Sequence, residues 1–214
     1  MSAEPKRTIG VLILAGGEAR RMGGHQKALL QLEGHTFLSR IEKALGCFDE
    51  KLISVRDAAG VAGASFMPVL DQVSGRGPLE GLRCALQSCC SDGLVVVPCD
   101  VPLFTADIAQ ALVSAGEGYD AVICKDRSGR LHPLCALYTK NCLSVIEELA
   151  ARGEYRIMGI FERVNGTILD MKTADLPDVL LTNVNDLQTL DALRSGASKR
   201  CAGECRMSYK SNEE

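Results

Sequence analysis

The sequence predicts a three-layer α/β domain around a mostly parallel β-sheet, and three observations carry that expectation. Short apolar runs, Ile9–Leu14 and Leu94–Val97 among them, read as strands buried on both faces. Segments with helical apolar spacing alternate with these runs through most of the length, as βαβ units require. Glycines and charged residues follow directly on the ends of several runs, where doubly wound sheets collect ligand groups.

With 214 residues the chain suits one domain with a sizeable core, here residues 1–195, followed by a polar stretch, 196–214, expected to be disordered. Apolar residues make up 46% and charged residues 24%, an ordinary globular balance with no membrane-spanning segment. The net charge of −3 gives no reason to expect a nucleic-acid partner, so any basic patch is local. Cys47, Cys84, Cys89, Cys99, Cys124, Cys135 and Cys142 sit singly among apolar residues, as buried free thiols do. The polar start, MSAEPKRTIG, carries no export signal, so a reduced cytoplasmic protein is expected. Cys201 and Cys205 stand one residue further apart than a redox C-x-x-C pair and have no histidine near them. They read as ordinary tail residues.

In order, Ile9–Leu14 is the first strand, and Ala28–Leu32 leads to a turn at Glu33-Gly34-His35. Thr36 is placed to cap a helix with Phe37, Leu38, Ile41, Ala44 and Leu45 on its apolar face. Leu52–Val55 and Phe66–Leu70 are further strands, left by Arg56-Asp57 and by Asp71. Pro78 suits the first turn of a helix that keeps Leu79, Leu82, Ala85 and Leu86 on one face. Leu94–Val97 is a strand, and Thr105 is expected to cap a helix over Ala106–Ala115. Tyr119–Cys124 and Cys135–Tyr138 are strands around a polar turn, and a helix over Asn141–Arg152 ends at Gly153. Arg156–Glu162 suits a short helix, and Asn165-Gly166 reads as a tight turn. Val179–Leu181 is expected as the last strand, then Asp186 as the cap of a helix over Leu187–Leu193.

The chemistry concentrates in three loops. After the first strand come Ala15-Gly16-Gly17, then Arg20, Arg21, Gly23, Gly24 and Lys27, and bare backbone N–H groups beside cations seat a polyphosphate. The spacing fits neither a P-loop nor a dinucleotide fingerprint. The second loop, DQVSGRGPLEG, opens on Asp71 at a strand end and runs through Gly75, Gly77 and Gly81 to a helix N-terminus. Gly77 and Gly81 can equally serve a close helix–sheet contact, and Asp71 an Asx turn. In the third, Pro98-Cys99-Asp100-Val101-Pro102, an apolar strand delivers a carboxylate between two prolines, a defined oxygen ligand of the kind Mg²⁺ takes. His132 either lines the acceptor side of such a site or satisfies a buried hydrogen bond.

Leu14–Gly17 with Arg21, Met22, Gly23 and Lys27, then GPLEG and PCDVP, resembles the nucleotidyltransferase signature. The double glycine resembles the molybdenum cofactor guanylyltransferases, the MobA family, in particular. The resemblance implies a Rossmann-like αβα nucleotidyltransferase fold and GMP transfer from GTP to the terminal phosphate of molybdopterin, with pyrophosphate released. It places Leu14, Ala15, Gly16, Gly17 and Lys27, with Asp71, Gly77 and Asp100, at the nucleotide. Asp100 would hold Mg²⁺, while Lys27 and Arg21 would offset phosphate charge. Arg21, Asn183 and Asn185 would face the acceptor. Transient contact with cofactor-delivery proteins or apo-molybdoenzymes is also implied, without nucleic acid or membrane. The nearest alternatives are a cytidylyltransferase or sugar-phosphate nucleotidyltransferase of the same fold, and a non-catalytic nucleotide-binding domain.

Overall fold

The computed structural model describes residues 7–16, 27–56 and 64–204, with backbone alone at Lys27 and over 196–204. Strand β1 (Ile9–Leu14) runs through the middle of the sheet, and its alternate side chains enter two separate cores. Val11 and Ile13 join Leu38 and Ile41 of α1 (Phe37–Ala44) and Ile108 and Leu112 of α3 (Ala106–Ala115). Leu12 and Leu14 join Leu79, Leu82 and Ala85 of α2 (Pro78–Ser88) and Ile146 and Leu149 of α4 (Leu143–Ala151). A strand buried on both faces can hold no charged side chain, which is why its sequence is an unbroken apolar run. Helices on both faces of one sheet are the three-layer α/β architecture expected.

The main sheet has the order β5 (Met67–Leu70), β4 (Lys51–Val55), β1, β6 (Gly93–Pro98), β8 (Leu131–Thr139), β7 (Ala121–Lys125), β9 (Gly166–Asp170). All its pairings are parallel except those of β8, which runs antiparallel to β6 and β7. The chain lays β4 and β5 on one side of β1, then returns through α2 to set β6 on the other. Strand order therefore reverses between β1 and β6, the point at which open α/β sheets form a crevice. Pro68 stands in the outer strand β5. The Asp71 N–H donates to the Val55 carbonyl at 3.0 Å, so positions 68 and 70 turn their N–H edge away from β4 and the proline breaks no ladder bond.

A small hairpin, β2 (Gln31–Leu32) and β3 (His35–Thr36), turns on Glu33 and Gly34 with φ of 53° and 79°, a two-residue reversal. It delivers Thr36, whose hydroxyl caps α1 by accepting from the Ser39 N–H at 3.1 Å. Leu32 and Phe37 pack with Val184 and with Leu190 and Leu193 of α6 (Leu187–Glu204). Among the described residues no helix is long and apolar enough to cross a membrane.

Several local expectations are corrected. Val179–Leu181 is no strand but part of a 3₁₀ turn, Asp178–Leu181, closed by Leu180 N–H on the Pro177 carbonyl and sinking Leu181 into the core. Asn165-Gly166 makes no hairpin. Gly166 begins β9, parallel to β7, while the Asn165 carbonyl accepts from Asp120 and Ala121. Glycine is required there because a Cβ would meet the Phe161 ring at 2.5 Å. The last helix, α6, continues past Leu193 to Glu204, into the stretch expected to be disordered. Thr105 sits at the cap position of α3 but makes no capping bond, whereas Asp186 does cap α6, accepting from Thr189 N–H at 2.7 Å. Cys84, Cys89, Cys124, Cys135 and Cys142 are buried thiols as expected, but Cys47 is exposed.

Gly81 sets how closely α2 approaches the sheet. A Cβ there would collide with the Ser54 hydroxyl and lie 3.0 Å from Ser54 Cβ and 3.1 Å from Leu14 Cδ2. Gly81→Ala is therefore expected to destabilise the fold by about 1–3 kcal/mol. Urea unfolding will show this as a lower midpoint at unchanged slope.

Candidate active site

One register governs the carboxyl edge of the sheet. Leu14 of β1 faces both Ser54 of β4 and Pro98 of β6, and Val55 faces Leu70 of β5. The residues that follow, Ala15 and Gly16, Arg56, Asp71, Cys99 and Asp100, are thereby drawn to one edge. The ladder runs slightly beyond the strands, with Ala15 N–H on the Ser54 carbonyl and Cys99 N–H on the Leu14 carbonyl, each at 3.0 Å. The Leu14 side chain lies in the α2 core, and the Ala15 amide is spent on the sheet. Leu14 and Ala15 therefore set where the loop begins, and Gly16 comes first beyond the ladder. Gly17 and Arg21 lie outside the described residues, as do Arg20, Gly23, Gly24, Asp57 and Cys205. Lys27 opens a 3₁₀ turn, Lys27–Leu29.

Asp71 stands against Gly16. Its Oδ1 accepts from the Ser54 hydroxyl at 3.0 Å, and its Oδ2 is 3.2 Å from the place a Gly16 Cβ would take. Burial pushes the Asp71 carboxyl above the ordinary aspartate range, opposed by the Ser54 hydrogen bond and Arg56 and reinforced by Glu80. The sequence singled out Asp71 as a crevice carboxylate, and the structure brings it to Gly16. It gave no sign of Ser54 except that a hydroxyl interrupts the otherwise apolar run Leu52–Val55.

The loop between Asp71 and α2 is organised by Glu80, which is only 1% exposed. Glu80 Oε1 accepts from the Val73 N–H at 3.1 Å and from Arg83 Nη2 at 2.6 Å. Its Oε2 accepts from Arg83 Nε at 3.1 Å and from Arg76 Nη1 at 3.4 Å. Arg83 also reaches Gln72 Oε1 at 2.9 Å, and the Arg76 guanidinium lies 5.9 Å from the centre of the Tyr155 ring. Gly77, the N-cap of α2, holds φ at 60° with no atom near its missing Cβ. Its role is backbone conformation, while the close helix–sheet contact belongs to Gly81. Bonds from Arg83 hold the Glu80 carboxyl down at about 2 against its burial. Sequence reading passed over Glu80, whose signal was an acid placed three residues before an arginine on one helix.

Asp100 is half-buried at the end of β6, between buried Cys99 and Val101. Tight backbone bonds, Val101 N–H on the Pro98 carbonyl and Phe104 N–H on the Val101 carbonyl, both 3.2 Å, fix the segment that bears it. Its own carbonyl accepts from the Val184 N–H at 2.7 Å. That bond holds the Asn183–Asn185 segment against Asp100, with Asn183 half-buried and Asn185 exposed. The two amides reach this edge from the loop before α6 and not from a strand end. The Thr105 hydroxyl oxygen is buried without a hydrogen-bond partner among the described residues.

Further along the edge, His132 Nε2 pairs with Asp126 Oδ2 at 2.9 Å. Asp126 Oδ1 also accepts from the Ser128 hydroxyl at 2.6 Å, the Ser128 N–H at 2.9 Å and the Arg130 N–H at 3.0 Å. These donors, the Ser128 hydroxyl foremost, hold the Asp126 carboxyl far below the ordinary range. Of the two readings of His132, the satisfied hydrogen bond is present.

Kinship of sequence places the protein among the nucleotidyltransferases, and the carboxyl edge at the reversal of strand order is where an open α/β sheet takes its ligand. The chain belongs to the family of the MobA-like NTP transferase domain, whose family model matches residues 11–167. It is 42% identical over 160 residues to a molybdenum cofactor guanylyltransferase of Cereibacter sphaeroides, covering 71% of this chain and 80% of that one. It is 31% identical over 205 residues to a probable molybdenum cofactor guanylyltransferase of Methanosarcina mazei, covering 89% and 85%. Among solved structures, the molybdopterin-guanine dinucleotide biosynthesis protein A of Archaeoglobus fulgidus superposes with a TM-score of 0.76 at 24% identity. That match covers 89% of this chain and 99% of that one, a likeness of fold.

The Glu80 cluster predicts an acid-sensitive loop. Because the folded-state pKa, about 2, lies below the unfolded value of 4.5, the stabilisation is complete above the unfolded value and is lost as pH falls toward the folded one. On the order of 3 kcal/mol should disappear across that window. Urea unfolding of the wild type and Glu80→Gln at stepped pH is expected to show the variant weaker near neutrality and flatter in acid.

Proposed function

We propose that this chain transfers GMP from GTP to the terminal phosphate of molybdenum-molybdopterin, giving the guanine dinucleotide form of the cofactor. An oxygen of the acceptor phosphate bonds to the α-phosphorus of GTP, the bond from that phosphorus to the β-bridging oxygen breaks, and pyrophosphate leaves with the electron pair. The observation that carries this reading is the 42% identity to a molybdenum cofactor guanylyltransferase over 160 residues, 71% of this chain.

The acceptor is already an anion near neutral pH, so no covalent nucleophile or strong base is required of the protein. Its task is to position two anions and offset their repulsion. The loop leaving β1 at Gly16 and Gly17 lets the backbone approach the phosphates, while Lys27 and Arg21 supply positive charge. Asp71 and the loop held by Glu80, with Gly77 at the start of α2, bound the nucleoside side. Asn183 and Asn185, tied to Asp100 through Val184, contact the acceptor together with Arg21.

Nucleotidyltransferases typically use a divalent metal, and the reading proposed here takes Mg²⁺ as that metal. The donor set suits it. Among the described residues no group of three or more His, Cys, Asp or Glu is gathered as a cage. Asp100 offers one hard oxygen ligand, as Mg²⁺ sites do when substrate phosphates and water complete the shell. Held by Asp100, such an ion would offset negative charge on the triphosphate. The stiff strand-and-turn setting of Asp100 holds its carboxylate in place for that ion. The reading makes the protein a cytoplasmic enzyme of cofactor assembly that meets delivery proteins or apo-molybdoenzymes transiently, with residues 1–195 carrying the activity.

Incubation of the purified protein with each nucleoside triphosphate, Mg²⁺ and molybdopterin is expected to yield the guanine dinucleotide from GTP alone. A cytosine product, or GTP binding without turnover, would sink the reading. Asp100→Asn keeps the shape and removes the charge. It should lower kcat by roughly 100-fold or more, the scale of losing a contact to developing charge, with little change in melting temperature. Wild-type turnover with an unchanged Mg²⁺ dependence would remove Asp100 from the site. Lys27→Ala should raise the KM for GTP or slow transfer while the fold stays intact, as read by steady-state kinetics beside thermal unfolding.

A further inference from the structure

Ser54 is the one hydroxyl in the β4 run, and at 2% exposed it is inside the protein. A buried hydroxyl is costly unless bonded, and this one donates to Asp71 Oδ1 at 3.0 Å. The backbone of α2 at Gly81 stands so close that a Cβ there would collide with the hydroxyl oxygen. That stretch of α2 is itself held by Leu79 and Leu82, both fully buried. The consequence falls on Asp71. With Oδ1 engaged by Ser54, Oδ2 is left over Gly16, 3.2 Å from the point a side chain would begin. Glycine at 16 keeps a side chain from standing against that oxygen.

We infer that Ser54, wedged beneath Gly81, is a positioning residue that presents Asp71 Oδ2 over Gly16 as an acceptor for a hydrogen-bond donor on the bound nucleoside. The role rests on the nucleotidyl-transfer reading and refines it. An ionised carboxylate accepts only and repels phosphate, so its partner belongs to the donor-bearing part of the ligand, a sugar hydroxyl or a ring or exocyclic N–H. Among the described residues, the charged groups that act on Asp71 are Arg56, following β4, and Glu80, on α2. Ser54 is the neutral group that orients it.

The test uses the full-length protein and Ser54→Ala, which removes the donor and keeps the backbone. The KM for GTP should rise roughly tenfold, the value of one charge-assisted hydrogen bond, with kcat within about twofold. The acid limb of kcat/KM should move to higher pH, because the ionised carboxylate loses a stabilising donor. Asp71→Asn should abolish that limb, and Ser54→Cys, a weaker donor of similar shape, should fall between the wild type and Ser54→Ala. In the free protein, the Asp71 carboxyl followed by carbon-13 NMR should titrate at higher pH in Ser54→Ala than in the wild type. An identical titration in the two proteins overturns the positioning role, as does a Ser54→Ala enzyme with wild-type KM and acid limb. A wild-type protein that binds no GTP overturns the parent reading, and this role with it.

Discussion

Much of this structure depends on the register that sets Leu14 opposite both Ser54 and Pro98. Because side chains alternate along a strand, that pairing commits Val11 and Ile13 to one core and Leu12 and Leu14 to the other. It also draws Gly16, Arg56, Asp71 and Asp100 to a single edge. A slip of one residue would send each core side chain to the wrong layer and separate Asp71 from Gly16 in the same movement. Packing and chemistry are thus tied to one alignment, and neither can be altered without the other.

The edge is stiffened differently on its two sides. Toward β5, the stiffening is electrostatic, with one buried carboxylate at Glu80 gathering two guanidinium groups and a backbone amide. Toward β6 it is covalent and steric, a carboxylate between prolines whose carbonyl anchors the segment before α6. Acid disarms the first and leaves the second largely intact. The Asp71 and Glu80 side of the edge is therefore the more sensitive to pH, and the Asp100 side the more sensitive to changes in chain geometry.

The fold was legible because buried strands and amphipathic helices leave strong patterns, and Ile9–Leu14 or Leu94–Val97 admit little else. Asp71 and Asp100 were legible because they follow such runs directly. What escaped depended on particular contacts, near and far in sequence, that composition does not show. Val179–Leu181 has a strand's composition but follows Pro177 and buries Leu181 through a turn. Asn165-Gly166 has a hairpin's composition, yet its glycine serves the Phe161 ring and its carbonyl serves β7. Ser54 and Glu80 are single polar letters whose meaning lies in what α2 and the loop before it bring to them. Cys47 shows the converse, a thiol with apolar neighbours in sequence that the fold leaves at the surface.

Pro68 bears on how the molecule behaves among its own copies. It stands in the outermost described strand on that side, with its ring where an outward N–H would be. A strand arriving from another chain would find a donor missing near the middle of the row it must match. The exposed side chains nearby, Met67 and Leu70, would otherwise make that margin adhesive. A single imino acid thus removes one of the outward donors on which lateral growth of the sheet past this apolar margin would depend.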